Sequence, residues 1–254
     1  MQKCICGKQH KSRGKINDCV GKIIKGCSVI RNVYAAIIRW DGKSDHTPKL
    51  QSVAVINSFK DCLDKEYVDF DRKGRGSALN HDLYGYDPIQ GVAVIQSRNA
   101  FRARENDFMN THKTYFLCGY NENTNKPFRH PISAAAVRGA IRSGADSVGV
   151  VKAAQCWMWG VTEKQLEASV RQGDLLLVPE RGEPHGDYMG QIMTLARSHE
   201  VHASAIRKNG RIYARNPQLI HVKGQHAPVE IHGWASVRVA RDVTAWDFAA
   251  RIGD

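Results

Sequence analysis

The chain has 254 residues, of which 42% are apolar, 24% charged and 8% aromatic, a globular composition that excludes a disordered chain. No apolar run approaches the roughly 20 residues of a membrane-spanning helix, and the polar start MQKCICGKQHKSRGK lacks the apolar centre of a secretory signal. A cytoplasmic protein without a membrane partner is therefore expected. The net charge is +12 and is concentrated: residues 1–60 carry 12 Lys/Arg against 3 Asp/Glu.

Residues 1–26 are rich in Lys and Gly, show little periodicity and read as a basic arm. Concentrated cations attract polyanions by phosphate contact and counterion release, so Lys8, Lys11, Arg13, Lys15, Lys22 and Lys25 are candidate nucleic-acid contacts. Cys4, Cys6 and Cys19 in this arm and Cys27 just after it are candidate zinc ligands whose spacing lacks the paired C-x2-C knuckles of a strong zinc signature. Seven cysteines, an odd number, argue against a disulfide framework and for a reducing compartment. Cys62, Cys118 and Cys156 read as small buried hydrophobes.

From residue 27 the pattern changes. NVYAAIIRWDG and KLQSVAVINSF each predict a strand, parted by the turn-forming DGKSDHTP, and a boundary follows near residue 75. GVAVIQSRNAFRARE and KTYFLCGY predict further strands, the first carrying Arg98, Arg102 and Arg104 as candidate additions to a basic surface. Ser133 is a candidate N-cap for AAAVRGAIRSG, with Gly144 near its stop. Thr162 and Gln165 form a capping-box pattern opening TEKQLEASVRQ, a helix predicted to stop at Gly173. Trp157 and Trp159 suit core packing better than base stacking. Gly173 and Asp174 then turn the chain into LLLVPE, a short buried strand. Asn209-Gly210 is a hairpin signal that predicts pairing of AIRK with RIYA.

Six of the eleven histidines fall between residues 185 and 232. His199 and His202 are three apart, and His221 and His226 flank a Gly-containing turn, VKGQ. Imidazole nitrogens are common ligands of zinc and related metals and act as general acids or bases near neutral pH. An antiparallel meander across the hairpin would bring the two pairs to one sheet end. Glu200 or Asp187 would complete a ligand set or act on a bound water. His199, Glu200, His202, His221 and His226 are therefore the catalytic candidates, and the four histidines the metal candidates. On a strand, however, residues three apart face opposite sides.

Arg171-Gln172-Gly173-Asp174 with its apolar run and Pro179 resembles a segment of a group of uncharacterised bacterial and phage proteins. In that group it is followed by paired-His motifs, as SHEVH and Pro217-Gln218-Leu219-Ile220-His221 to His226-Ala-Pro228 follow here. Tyr115-Phe-Leu-Cys-Gly-Tyr-Asn-Glu122 is similar to the upstream opening, so the resemblance spans about residues 114–242. It implies a shared constellation of His199 or His202 with His221 and His226, and no particular reaction.

The expected fold is α+β: a strand-rich N-terminal half, short helices in the middle and a barrel-like or sandwich-like C-terminal domain. The expected division is arm 1–26, strand-rich subdomain 27–75, mixed middle region 76–170 and His-containing β-rich domain 171–254. The leading functional expectation is nucleic-acid binding, to RNA or DNA, in a ribonucleoprotein or processing system. The second is a metal-dependent hydrolase or phosphoesterase using the His cluster, with a divalent metal such as zinc. The third is a phage-type assembly protein with protein partners or self-association.

Overall fold

The chain folds as an α+β protein, 49% strand and 19% helix, built on two antiparallel sheets. The computed structural model describes residues 2–3, 9–10, 50–105, 107, 110–121, 124–196, 198–224 and 226–241. Lys8, Lys11, Arg13, Lys15, Lys22 and Lys25, the cysteines Cys4, Cys6, Cys19 and Cys27, and the strand expected in NVYAAIIRWDG lie outside the described residues. Two short strands, β1 (Gln2–Lys3) and β2 (Gln9–His10), pair antiparallel.

The second expected strand, KLQSVAVINSF, is instead a helix, α1 (Leu50–Ser58). Val55 and Phe59, four residues apart, pack on Ala93, Ile95 and Cys118 of the first sheet, and this shared face overrides the β-preference of Val and Ile. A short 3-10 turn, Lys60–Cys62, buries Cys62 in the same cluster.

The first sheet is a meander of β3 (Tyr67–Phe70), β4 (Gly76–Asp87), β5 (Val92–Arg102), β6 (Asn110–Tyr120) and β7 (Pro127–Ile132) in chain order. Its two faces are both covered. Ala93 and Ile95 face α1, whereas Val92 and Val94 join a larger core with the middle helices.

Those helices are α2 (Ala134–Arg142), α3 (Ser147–Trp159) and α4 (Glu163–Glu167). Ser133 Oγ accepts from Ala136 N–H at 3.4 Å, and Thr162 and Gln165 form a reciprocal capping box, as the sequence predicts. The last helix is shorter than expected, because Val170–Gln172 leaves it to pair as β8 with β9 (Leu175–Glu180). Trp159 is buried and Trp157 packs against the same core, in agreement with the core reading.

The second sheet comprises β8, β9, β10 (Asp187–Leu195), β11 (His199–Asn209), β12 (Arg211–Arg215), β13 (Gln218–His221), β14 (Val229–Glu230) and β15 (Trp234–Val239). β12 and β13 both pair with β11, and the path runs from β12 through β15 and β9 to β8. β14 pairs with β13 and lies against β8, which nearly closes a barrel. LLLV is continuously apolar because β9 is buried on both faces: Leu175 and Leu177 enter the barrel core, and Leu176 and Val178 meet the helices.

The hairpin after β11 is offset by one residue from the expected register, with Lys208 opposite Ile212 and Asn209 opposite Arg211. A two-residue type I′ turn needs positive φ at both central residues. Here Gly210 takes φ 62° and Asn209 is not among the positive-φ residues.

Candidate metal centre

The mouth of the barrel is set by where two neighbouring strands begin and end. His199 is the first residue of β11 and His221 the last of β13, and the two stand directly opposite in the antiparallel ladder. Strand alternation sends His199 and Val201 inward, where both are buried, and turns Glu200 and His202 to the other face. The chain beyond β13 then folds back and returns His226 to the pair. The ring centroids of His199 lie 4.7 Å from His221 and 6.3 Å from His226, and those of His221 and His226 are 5.4 Å apart. One nitrogen from each ring falls within 4.8 Å of the other two.

The turn between β8 and β9 closes the mouth from below. Gly173 sits there at φ 55°, and a Cβ on it would lie 2.9 Å from His226 Nε2 and 3.1 Å from His199 Nε2. Only glycine gives both the left-handed backbone and room for two imidazole tips. Gln172, buried, donates from Nε2 to Leu219 O at 3.2 Å and to Ala227 O at 2.6 Å. It thereby ties β13 to the loop that carries His226. The Asp174 carbonyl accepts from Trp159 Nε1–H at 3.2 Å and from Ala240 N–H at 2.8 Å, anchoring the turn to α3 and the end of β15.

Two buried polar atoms at this mouth, His199 Nε2 and Gln172 Oε1, have no hydrogen-bond partner among the described residues. Buried polar groups of a native fold are usually paired with protein, ordered water or a bound ligand. Burial, then the neighbouring His221 and His226 rings, pushes the His199 pKa from its ordinary 6.5 down to about 4, with Asp174 acting in the opposite direction. His199 is therefore neutral at pH 7, the state in which imidazole binds metal. Its Nδ1 shares a hydrogen bond of 3.1 Å with Ser198 Oγ, which orients the ring. Lys223 N–H donates to His221 Nδ1 at 3.1 Å, so the proton of neutral His221 resides on Nε2.

The histidines open onto a cleft of about 350 Å³ between the barrel mouth and strands β6 and β7. Leu117, Phe128 and Met158 supply an apolar wall, and Arg171, Asp174 and Ser198 supply polar groups. The three ring nitrogens lie within metal-binding distance of one another and border a cleft large enough for a small molecule.

The structure brings together three of the five catalytic candidates. His202 and Glu200 instead form their own pair on the opposite face of β11, Nε2 to Oε2 at 2.8 Å, and do not join the cluster. Asp187 is exposed at the start of β10, opposite Lys208. The expected basic face of β5 is corrected: Arg98 is buried, its Nε donating to Asn80 Oδ1 at 3.0 Å, and Arg104 lies beyond the strand end. Arg102 is half-buried with its guanidinium beside Gly74. Gln172, read from sequence as the end of a helix, and Gly173, read as part of a turn, are structural members of the site. Compared with known proteins, the chain matches no family model, no curated protein and no solved structure.

Proposed function

We propose that His199, His221 and His226 hold a divalent ion of the zinc class and that the protein is a hydrolase acting through water activated there. The observation that carries this reading is the convergence of three ring nitrogens within 4.8 Å around a buried His199 Nε2 that lacks a partner among the described residues. Three nitrogen donors suit zinc and its neighbours. Catalytic zinc sites keep three protein ligands and one open position, whereas structural sites are closed by four. Here all three histidines line one open cleft, with no fourth ligating side chain in the cluster among the described residues. Such an ion lowers the pKa of a bound water toward neutrality, which supplies a nucleophile without an activated Ser or Cys.

The nucleic-acid reading draws less support. It rests on arm cations Lys8, Lys11, Arg13, Lys15, Lys22 and Lys25, which lie outside the described residues, and on three arginines of which Arg98 is buried.

Elemental analysis of protein purified without chelator tests the metal centre. Near-stoichiometric zinc, lost in His221→Ala and His226→Ala but kept in His202→Ala and Glu200→Gln, is the expected result. Equal metal in all four variants would place the ion elsewhere. Turnover of p-nitrophenyl esters by loaded protein, abolished by chelation, tests the hydrolase assignment.

A further inference from the structure

The outer face of the barrel carries cations and aromatic rings that the histidine site does not use. Ile206 of β11, Ile212 and Ala214 of β12, and Ala235 and Val237 of β15 point into the barrel core. Strand alternation therefore sets Arg211, Tyr213 and Arg215 of β12 on the outside, with Trp234, Ser236 and Arg238 of β15 and Arg207 of β11. The register arranges them in rows. Tyr213 stands opposite Arg207 on one side and Ser236 on the other, and Arg215 stands opposite Trp234. Arg238 follows Val237, the partner of Ile212, and so comes level with Arg211.

Glu183 holds Arg207, whose Cζ lies 6.0 Å from the Trp234 ring centroid. Arg211, Arg215 and Arg238 are in no ion pair with a described residue, and Arg211 and Arg215 are exposed. Burial, and then the charge of Arg211, lowers the Arg238 pKa, with Glu180 opposing. A polyanion on this face relieves that repulsion. Ser236 Oγ and the Nε atoms of Arg207 and Arg238 are buried without a hydrogen-bond partner among the described residues, so unsatisfied polar groups gather here.

We infer that this face of β11, β12 and β15 binds single-stranded nucleic acid, with Arg211, Arg215 and Arg238 on phosphates and Tyr213 and Trp234 against bases. Arg211 and Arg215 are four residues apart on one strand, about 13 Å, with Tyr213 between them. That alternation of cation and ring suits a polymer that alternates phosphate and base. An acidic protein would engage the arginines and make no comparable use of the rings. A duplex hides its base faces, so the favoured polymer is single-stranded. The inference is independent of the histidine site.

Fluorescence anisotropy of labelled oligo(U) and oligo(dT) of about 12 nucleotides, with full-length protein over a series of salt concentrations, tests it. Arg211→Gln/Arg215→Gln is expected to bind about 10–100-fold more weakly at low salt. Its slope of log K against log salt should flatten by about 1.4, two contacts at about 0.7 each. Tyr213→Leu is expected to lose about tenfold, and Tyr213→Phe to bind as wild type, because stacking needs the ring and not the hydroxyl. Lys126→Gln/Lys164→Gln removes the same charge from exposed positions elsewhere and is expected to change neither affinity nor slope. Circular dichroism checks folding, and the two exposed arginines keep the test decisive if Tyr213→Leu does not fold. Wild-type binding by the arginine variant, or an equal loss in the lysine control, would overturn the inference. So would a duplex bound as tightly as oligo(U). Heparin or poly-glutamate bound as tightly as the oligonucleotides, with Tyr213→Leu unaffected, would make this a general polyanion surface and overturn the assignment to nucleic acid.

Discussion

Gly173 and His226 meet so closely that a Cβ on the glycine would lie 2.9 Å from the imidazole Nε2. Gly173→Ala therefore faces two costs: about 1–2 kcal/mol for a left-handed alanine, and displacement of His226 together with His199. Zinc affinity is expected to fall at least tenfold. Gly210, also left-handed at φ 62° but with open space around it, provides the control. Gly210→Ala should show a comparable loss in urea denaturation with zinc affinity intact. Equal zinc affinity in the Gly173 and Gly210 variants would separate Gly173 from the site.

Gln172 bridges two segments that carry ligands. Gln172→Leu removes its donors to Leu219 O and Ala227 O. Leaving the buried Leu219 carbonyl without this donor costs about 1–3 kcal/mol, and a thermal melt should fall by about 2–4 °C per kcal/mol. Metal affinity is expected to drop about 10–100-fold, the usual range for residues behind a ligand. An unchanged melting temperature would mean the clamp contributes nothing.

His199 makes the metal-free protein acid-sensitive. Its pKa lies near 6.5 when unfolded and about 4 in the fold. Above pH 7 the ring is neutral in both states and the stabilisation is complete. As pH falls below 6.5 the unfolded chain gains a proton that the buried ring refuses, so stability declines until the folded ring also protonates near pH 4. The full effect is roughly 3 kcal/mol. Urea denaturation at several pH values should show wild type losing more stability than His199→Gln between pH 7 and 4. Parallel curves would contradict it.

Metal binding must disturb Lys223. Its N–H donates to His221 Nδ1. An ion on Nδ1 uses that lone pair, and an ion on Nε2 moves the ring proton to Nδ1. In both cases the hydrogen bond is lost, and exchange of the Lys223 amide should accelerate on adding zinc. Protection unchanged at saturating metal would exclude His221 from the ligand set.

Much of the local structure was legible because its causes are local. Ser133, Thr162 and Gln165 cap helices through side chains three residues from their targets, and Gly210 turns a hairpin by its own conformational freedom. Failures came where distant packing decided. Leu50–Ser58 became a helix because the Val55 and Phe59 face met a sheet formed later in the chain. The five-residue shortfall of the helix after Thr162 reflects pairing of Val170–Gln172 with Leu175–Leu177.

By itself the sequence determined that the C-terminal third is a β meander rich in histidine, and that His199 and His202 cannot share one face of a regular strand. Which histidines converge was decided only by tertiary structure. Register placed His199 opposite His221, the return loop brought in His226, and a turn from another strand supplied Gly173 and Gln172. Coordination is a matter of a few ångströms, and His199, which lies 22 residues before His221 and 27 before His226, comes within that range only once the strands have paired.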